Sequence, residues 1–237
     1  MLILALDSTA EVGSVALCRD KEPVACFTLK NGNTHSETLL PMVESLLAVT
    51  GTALDDIDLF ACSAGPGSFT GVRIGVATVK GLTFGKHKTV LGVSALESMA
   101  RNLLPATGLL APVMNARRGQ VYTALFRAEG DTLTRLTPDD AMAATDLEAK
   151  LLSLGEPFTL TGDGTEVALA AFREAKPLAC PKLLSEQNAV GVALAALAAY
   201  EAGERGTDRT LSPIYLRLPQ AERERLERLQ QEQKGEH

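Results

Sequence analysis

Apolar residues in the first part of the chain fall into short runs separated by polar turns. Leu2–Leu6 is one aliphatic run, Gly13–Cys18 a second, and Val24–Leu29 a third that follows a Lys-Glu-Pro turn. Runs of this length, bounded by turn residues, predict a three-stranded antiparallel meander. Leu39, Leu40, Val43, Leu46 and Leu47 then recur at helical spacing and stop near Gly51, with a kink expected at Pro41. Leu59–Cys62 reads as a strand, Thr70–Gly85 as a helix and Thr89–Val93 as a strand. A helix over Ser94–Leu104 opens with the capping box Ser94-x-x-Glu97.

The second half repeats that order. Leu110–Ala116, Gln120–Arg127 and Thr132–Leu136 read as three strands. A helix near Asp146–Leu154, a strand Phe158–Thr161, a helix Glu166–Ala175, a short strand near Leu178 and a helix Ala189–Glu201 follow. Sliding the chain so that Asp7 falls on Asn115 also places Ala16-Leu17 on Ala124-Leu125. The repeated order predicts an α/β protein of two duplicated βββαβαβα lobes. The lobes divide as 1–104 and 105–218. Residues 219–237 form a charged tail, either a solvated helix with Glu224 and Arg228 paired or a segment without fixed structure.

Composition narrows the function. The chain has 237 residues, 46% hydrophobic and 22% charged, with a formal net charge of −6. That acidity argues against unaided nucleic-acid binding. No run reaches the roughly 18 apolar residues of a membrane helix, and the first residues lack the pattern of a secretory signal, so a cytoplasmic protein is expected. Cys18, Cys26, Cys62 and Cys180 make no C-x-x-C pair, which predicts reduced, buried thiols. His35, His87 and His237 form no His-x-x-x-His pair, and no G-x-S-x-G elbow is present, so neither a metal site nor a serine nucleophile is supported.

The richest local signal is SAGPGSFTG, which follows the strand at Leu59–Cys62. It lacks the lysine of a Walker A loop, and Gly65, Gly67 and Gly71 do not match the dinucleotide spacing. Two readings stay open: a tight structural turn, or a phosphate-facing turn with free amides near Ser68–Gly71 and the hydroxyls of Ser68 and Thr70. The next helix carries Gly71, Gly75, Thr78, Leu82 and Gly85 on one face. Each helical glycine costs about 1 kcal/mol against alanine, so another backbone should press on that stripe. It belongs either to the same chain or to a second subunit. Asp7-Ser8-Thr9 closes the first strand, and Asp7 either faces a ligand or orders the turn by an Asx-type bond.

These segments carry a family pattern. LALDSTAEVGSVAL, HSETLLPMV, SAGPGSFTGVRIGVATVKGL, GVSALESMA, NARRGQVYTALF, GDG and PIYLR, in this order, resemble the TsaB (YeaZ) family across residue 3 to about residue 217. The resemblance implies an actin-like ATPase (ASKHA, ribonuclease H-like) fold. It also implies a role in making threonylcarbamoyladenosine at position 37 of tRNAs that read codons starting with A. The partners it implies are a TsaD catalytic subunit and the TsaE ATPase, with a homodimer when alone and tRNA met only through the complex.

TsaD proteins carry His-x-x-x-His on a helix whose counterpart here has Ser94 and Ser98, and serine hydroxyls do not replace imidazoles as transition-metal ligands. The resemblance therefore implies a non-catalytic subunit with no catalytic residue, no metal and no required cofactor. Asp7, Ser8, Thr9, Gly65, Gly67, Ser68, Gly162 and Gly164 match nucleotide turns of active relatives. The second lobe is short, which leaves room for at most weak ATP or ADP binding. The glycine stripe becomes the expected partner interface, since the family pairs through N-lobe helices. An ATP-dependent phosphotransferase and a glycoprotease-like peptidase are the alternatives.

Overall fold

A computed structural model describes residues 1–217, so the tail read at 219–237, with its Glu224–Arg228 pair, lies outside the described residues. The meander is β1 (Leu2–Asp7), β2 (Gly13–Arg19) and β3 (Glu22–Leu29). After α1 (His35–Thr50), the chain adds β4 (Leu59–Gly65), α2 (Phe69–Thr83), β5 (Thr89–Ser94) and α3 (Ala95–Arg101). The strands order as β3-β2-β1-β4-β5, with β1 antiparallel to β2 and parallel to β4. α1 continues through Pro41 and stops at Gly51, whose φ of 62° supplies the left-handed C-cap.

Both faces of this sheet are covered, which is why β1 reads as a continuous apolar run. Leu4 and Leu6 point to one face and pack with α1 and α2 through Leu39, Val43, Val72 and Val76. Ile3 and Ala5 point to the other, against Ala189, Val192, Ala193 and Ala196. Those last residues belong to α6 (Ala189–Glu201). The sequence reading placed this helix in the second lobe. It instead returns to cover the first sheet and packs on α3. Its composition, AVGVALAALAAYE, is apolar all round because both of those neighbours bury it.

The second sheet is built on β6 (Ala106–Asn115), β7 (Gln120–Thr123), β8 (Phe126–Gly130), β9 (Thr132–Arg135), β10 (Asp140–Ala143) and β11 (Phe158–Thr161), with α4 (Ala144–Leu154) and α5 (Thr165–Ala171). The single strand expected over Gln120–Arg127 is β7 and β8, which pair with β6 in one unbroken register, Val113 opposite Thr123 and Leu110 opposite Phe126. The interruption falls opposite Pro112, which has no N–H to give the ladder. β9 and β10 form the outer edge in the same interrupted way, and β11 joins the other side of β6 in parallel. At Leu178 a lone parallel bridge to Thr159 stands where the first lobe has β5. The second lobe thus repeats the first lobe's strand order with a shortened far edge.

Candidate functional site

The ends of β1 and β4 meet at a buried polar knot. Asp7 is 1% exposed. Its Oδ2 accepts from Ser63 Oγ at 2.6 Å, and its Oδ1 accepts from Thr9 N at 2.9 Å and Thr9 Oγ1 at 2.7 Å. Burial pushes the Asp7 carboxyl above the ordinary aspartate value, against the opposing pull of these three hydrogen bonds. The bond to Thr9 N is the Asx-type turn that was one of the two readings. Burial also pushes the neighbouring Cys62 thiol to about 12, with Asp7 adding to the effect. Cys18 is buried as well, whereas Cys26 is exposed and Cys180 half-buried, so the expectation of four buried thiols holds only for two.

The glycine loop sits directly on this knot. The Gly65–Pro66 peptide is cis, and Gly67 has φ 155°. A Cβ on Gly67 would lie 2.5 Å from Thr9 O, because Ser68 N donates to that same oxygen at 2.6 Å. Ser68 caps α2 by accepting from Gly71 N at 3.3 Å. The amides of Ser68 and Gly71, two of those expected to face a phosphate, are therefore already paired within the chain.

The glycine stripe resolves the same way. A Cβ on Gly71 would collide with Ser8 O, and one on Gly75 would lie 2.6 Å from Ser8 Oγ, which donates to Gly71 O at 2.9 Å. The backbone pressed against this stripe is the chain's own. Thr78 and Leu82 are half-buried, Leu82 against the first core, and Gly85 lies beyond the end of α2. The five residues do not form one open face, so Gly71 and Gly75 are not available to a second helix.

In the second lobe, a Cβ on Gly164 would lie 2.7 Å from Met114 C, and Gly164 N donates to Val113 O at 3.0 Å. Gly162 packs on Val113 in the same manner. The two turns face one another across a cleft. Thr9, Gly67, Ser68, Arg117 and Asp163 line one cavity in it, of about 460 Å³. Gly162 and Asp163 belong to a second cavity of about 820 Å³. Asp7, Ser8, Gly65 and Gly164 line neither of the two. Arg117 and Arg118 take left-handed φ of 64° and 55° in the tight turn between β6 and β7.

Sequence reasoning gave no role to the segment that straps this site. Ile214 N donates to Ala64 O at 2.7 Å, Tyr215 stacks on Phe69 with centroids 4.0 Å apart, and Arg73 Nε donates to Tyr215 Oη at 2.9 Å. Arg217 then reaches across to Ala116 O at 3.0 Å. The signal was present as PIYLR, an apolar and aromatic interruption just before the charged tail. Ser94 and Ser98 are both in structural use. Ser94 Oγ accepts from Glu97 N and donates to Asp139 at 2.6 Å, and Ser98 Oγ donates to Ser94 O at 2.9 Å. Among the described residues no three His, Cys, Asp or Glu side chains cluster as metal ligands would.

Two lobes of one strand order, closing paired glycine turns over a cleft, define an actin-like ATPase fold. The family model described as TsaD, tRNA N6-adenosine threonylcarbamoyltransferase, matches residues 30–224, and the chain belongs to that family, on its TsaB branch. The Escherichia coli tRNA threonylcarbamoyladenosine biosynthesis protein TsaB is 33% identical over 213 residues, covering 81% of this chain and 91% of that protein. Its Bacillus subtilis namesake is 34% identical over 167 residues, 70% of this chain and 73% of that protein. The solved structure of YeaZ from Pseudomonas aeruginosa has TM-score 0.78 and 27% identity, covering 91% of this chain and 99% of that one. A Jannaschia transferase, 37% identical over 146 residues, is matched over only 41% of its length and 57% of this chain. No helix among the described residues is long and apolar enough to cross a membrane.

Proposed function

We propose that this chain serves threonylcarbamoyladenosine formation on tRNA in the cytoplasm, as a subunit that does not itself transfer the group. It acts beside a TsaD-type transferase and a TsaE-type ATPase. The observation that carries the reading is the committed state of Ser94 and Ser98. Both hydroxyls are spent on α3 and Asp139, and Ser98 is buried, at the positions matching the ligand pair of the transferase. The phosphotransferase reading loses its main support because Asp7 is sealed under Thr9 and Ser63. The test is reconstitution of tRNA modification with and without this chain. Modification should collapse in its absence, and full modification without it would overturn the reading.

The transferase subunit is assigned to the outward side of α2, in place of the glycine stripe. There Ala77 and Gly81 are exposed, and Phe84 follows with 80% of its surface open. Replacing Phe84 with Asp should abolish co-purification with the transferase subunit while leaving the melting temperature of the lone chain unchanged, since Phe84 buries little. Undiminished co-purification would exclude this face.

A further inference from the structure

The larger cavity in the cleft carries chemistry that the glycine turns do not explain. It holds about 820 Å³, and its walls present the four carboxylates Glu11, Asp163, Glu166 and Glu186 against the two lysines Lys30 and Lys182. Lys30 is already engaged, 2.7 Å from Glu186 and 3.5 Å from Glu11. The balance left in the cavity is negative, which repels phosphate groups.

Beneath these charges lie unpaired acceptors. Gln187 is 1% exposed and lines the cavity. Its Nε2 donates to Asp163 Oδ1 at 3.0 Å, which fixes the amide so that Oε1 is the atom left over, and Oε1 has no partner. Thr165 Oγ1, in the same lining, is also buried without a partner. A buried acceptor left unsatisfied in a folded protein calls for an explanation, and a donor arriving from the cavity supplies one. The walls are otherwise aliphatic: Leu160 is buried, while Leu169 and Leu178 are 45% and 54% exposed. No aromatic side chain lines the cavity among the described residues, so nothing there stacks on a base.

The geometry points to a binding site for a linear aliphatic polyamine. Its ammonium groups meet Asp163, Glu166 and the orphaned Gln187 Oε1, and its methylenes lie along Leu169 and Leu178. Such a ligand brings only donors, carries no phosphate and has an apolar body, which matches the wall on each count. Desolvation also holds the Asp163 carboxyl above its ordinary value although the residue is open to the cleft, and a bound cation would reverse that.

The test is titration calorimetry of the full chain alone with spermidine at fixed ionic strength, so the result does not depend on the transferase partner. Saturable binding of one spermidine, tighter than about 1 mM, is expected. Asp163→Asn and Glu166→Gln should each weaken it by about tenfold or more, with an unchanged melting curve confirming the fold. Gln187→Leu should weaken it too, and n-butylamine should bind less tightly than spermidine. Magnesium displacing spermidine at equal charge concentration would overturn the proposal, because it would show only a diffuse acidic surface. Binding unaffected by Asp163→Asn and Glu166→Gln, ADP competing for the cavity, or no saturable binding at all would overturn it equally.

Discussion

At the first-lobe turn, Gly67 packs on Thr9 at the end of β1, and at the second-lobe turn Gly164 packs on Met114 near the end of β6. The backbone approach is the same in both lobes, but the polar groups around it are used differently. In the first lobe Asp7, Ser8, Thr9, Ser63 and Ser68 bond to one another and to the start of α2, which runs for 15 residues. In the second lobe the Asp7 counterpart is the exposed Asn115, the helix has 7 residues and no side-chain cap, and Asp163, Thr165 and Gln187 face a cavity. Close backbone packing is what the fold needs at each turn. Ligand chemistry remains only where polar groups are left over after folding, and here that is the second lobe.

The largest effect should come from the shared packing. Gly71→Ala drives a methyl group into Ser8 O, and Gly164→Ala drives one into the Met114 backbone. Neither obstacle is the end of a flexible side chain, so each variant should lose about 3 kcal/mol in urea unfolding. A large loss at Gly71 with none at Gly164 would break the likeness between the turns.

A smaller effect isolates the polar knot of the first lobe. In Gly75→Ala the new methyl meets only Ser8 Oγ, at 2.6 Å, and the hydroxyl must turn away from Gly71 O. The expected cost is about 1 kcal/mol, the net worth of one buried hydrogen bond. Combined with Ser8→Ala, the obstacle is already gone, so the double variant should cost clearly less than the sum of the singles. Strict additivity would mean that Ser8 is not what the stripe packs against.

Much of this was legible in the residues, and what was not has physical causes. Strands covered on both faces announce themselves as apolar runs, so the five strands of the first sheet were readable from Leu2 to Val93. The break opposite Pro112 was not, because a missing N–H matters only once its pairing partner is known. β10, a four-residue edge strand reading DAMA, carries no apolar run. The placement of α6 was hidden because a helix apolar on every side does not say which sheet it covers. Helical spacing correctly put Gly71 and Gly75 on one side of α2, yet spacing alone does not say whose backbone lies there. Gln187, a lone polar residue in a loop, had no sequence signal at all; only its burial beside Asp163 marks it.

The smallest expected effect concerns Asp7 and sharpens the contrast in how the lobes use their carboxyls. Its folded-state pKa is raised by burial, so the native chain holds that proton more tightly than the unfolded one. Its favourable contribution is complete below the ordinary aspartate value of about 3.9 and is lost as pH rises through the folded value. Asp7→Asn mimics the protonated form: its carbonyl still accepts from Thr9, and its amide faces Ser63 Oγ, which turns to accept. The variant should melt about 3 °C higher than the parent at pH 7, the shift that ~1 kcal/mol produces at this chain length. The gain should fade toward pH 4 and vanish below it, as Asp7 in the parent takes up its proton. A variant less stable than the parent at pH 7 would mean that the ionised carboxylate, through its bonds to Thr9 and Ser63, holds the first-lobe turn together. The two lobes would then differ less in their chemistry than their geometry implies.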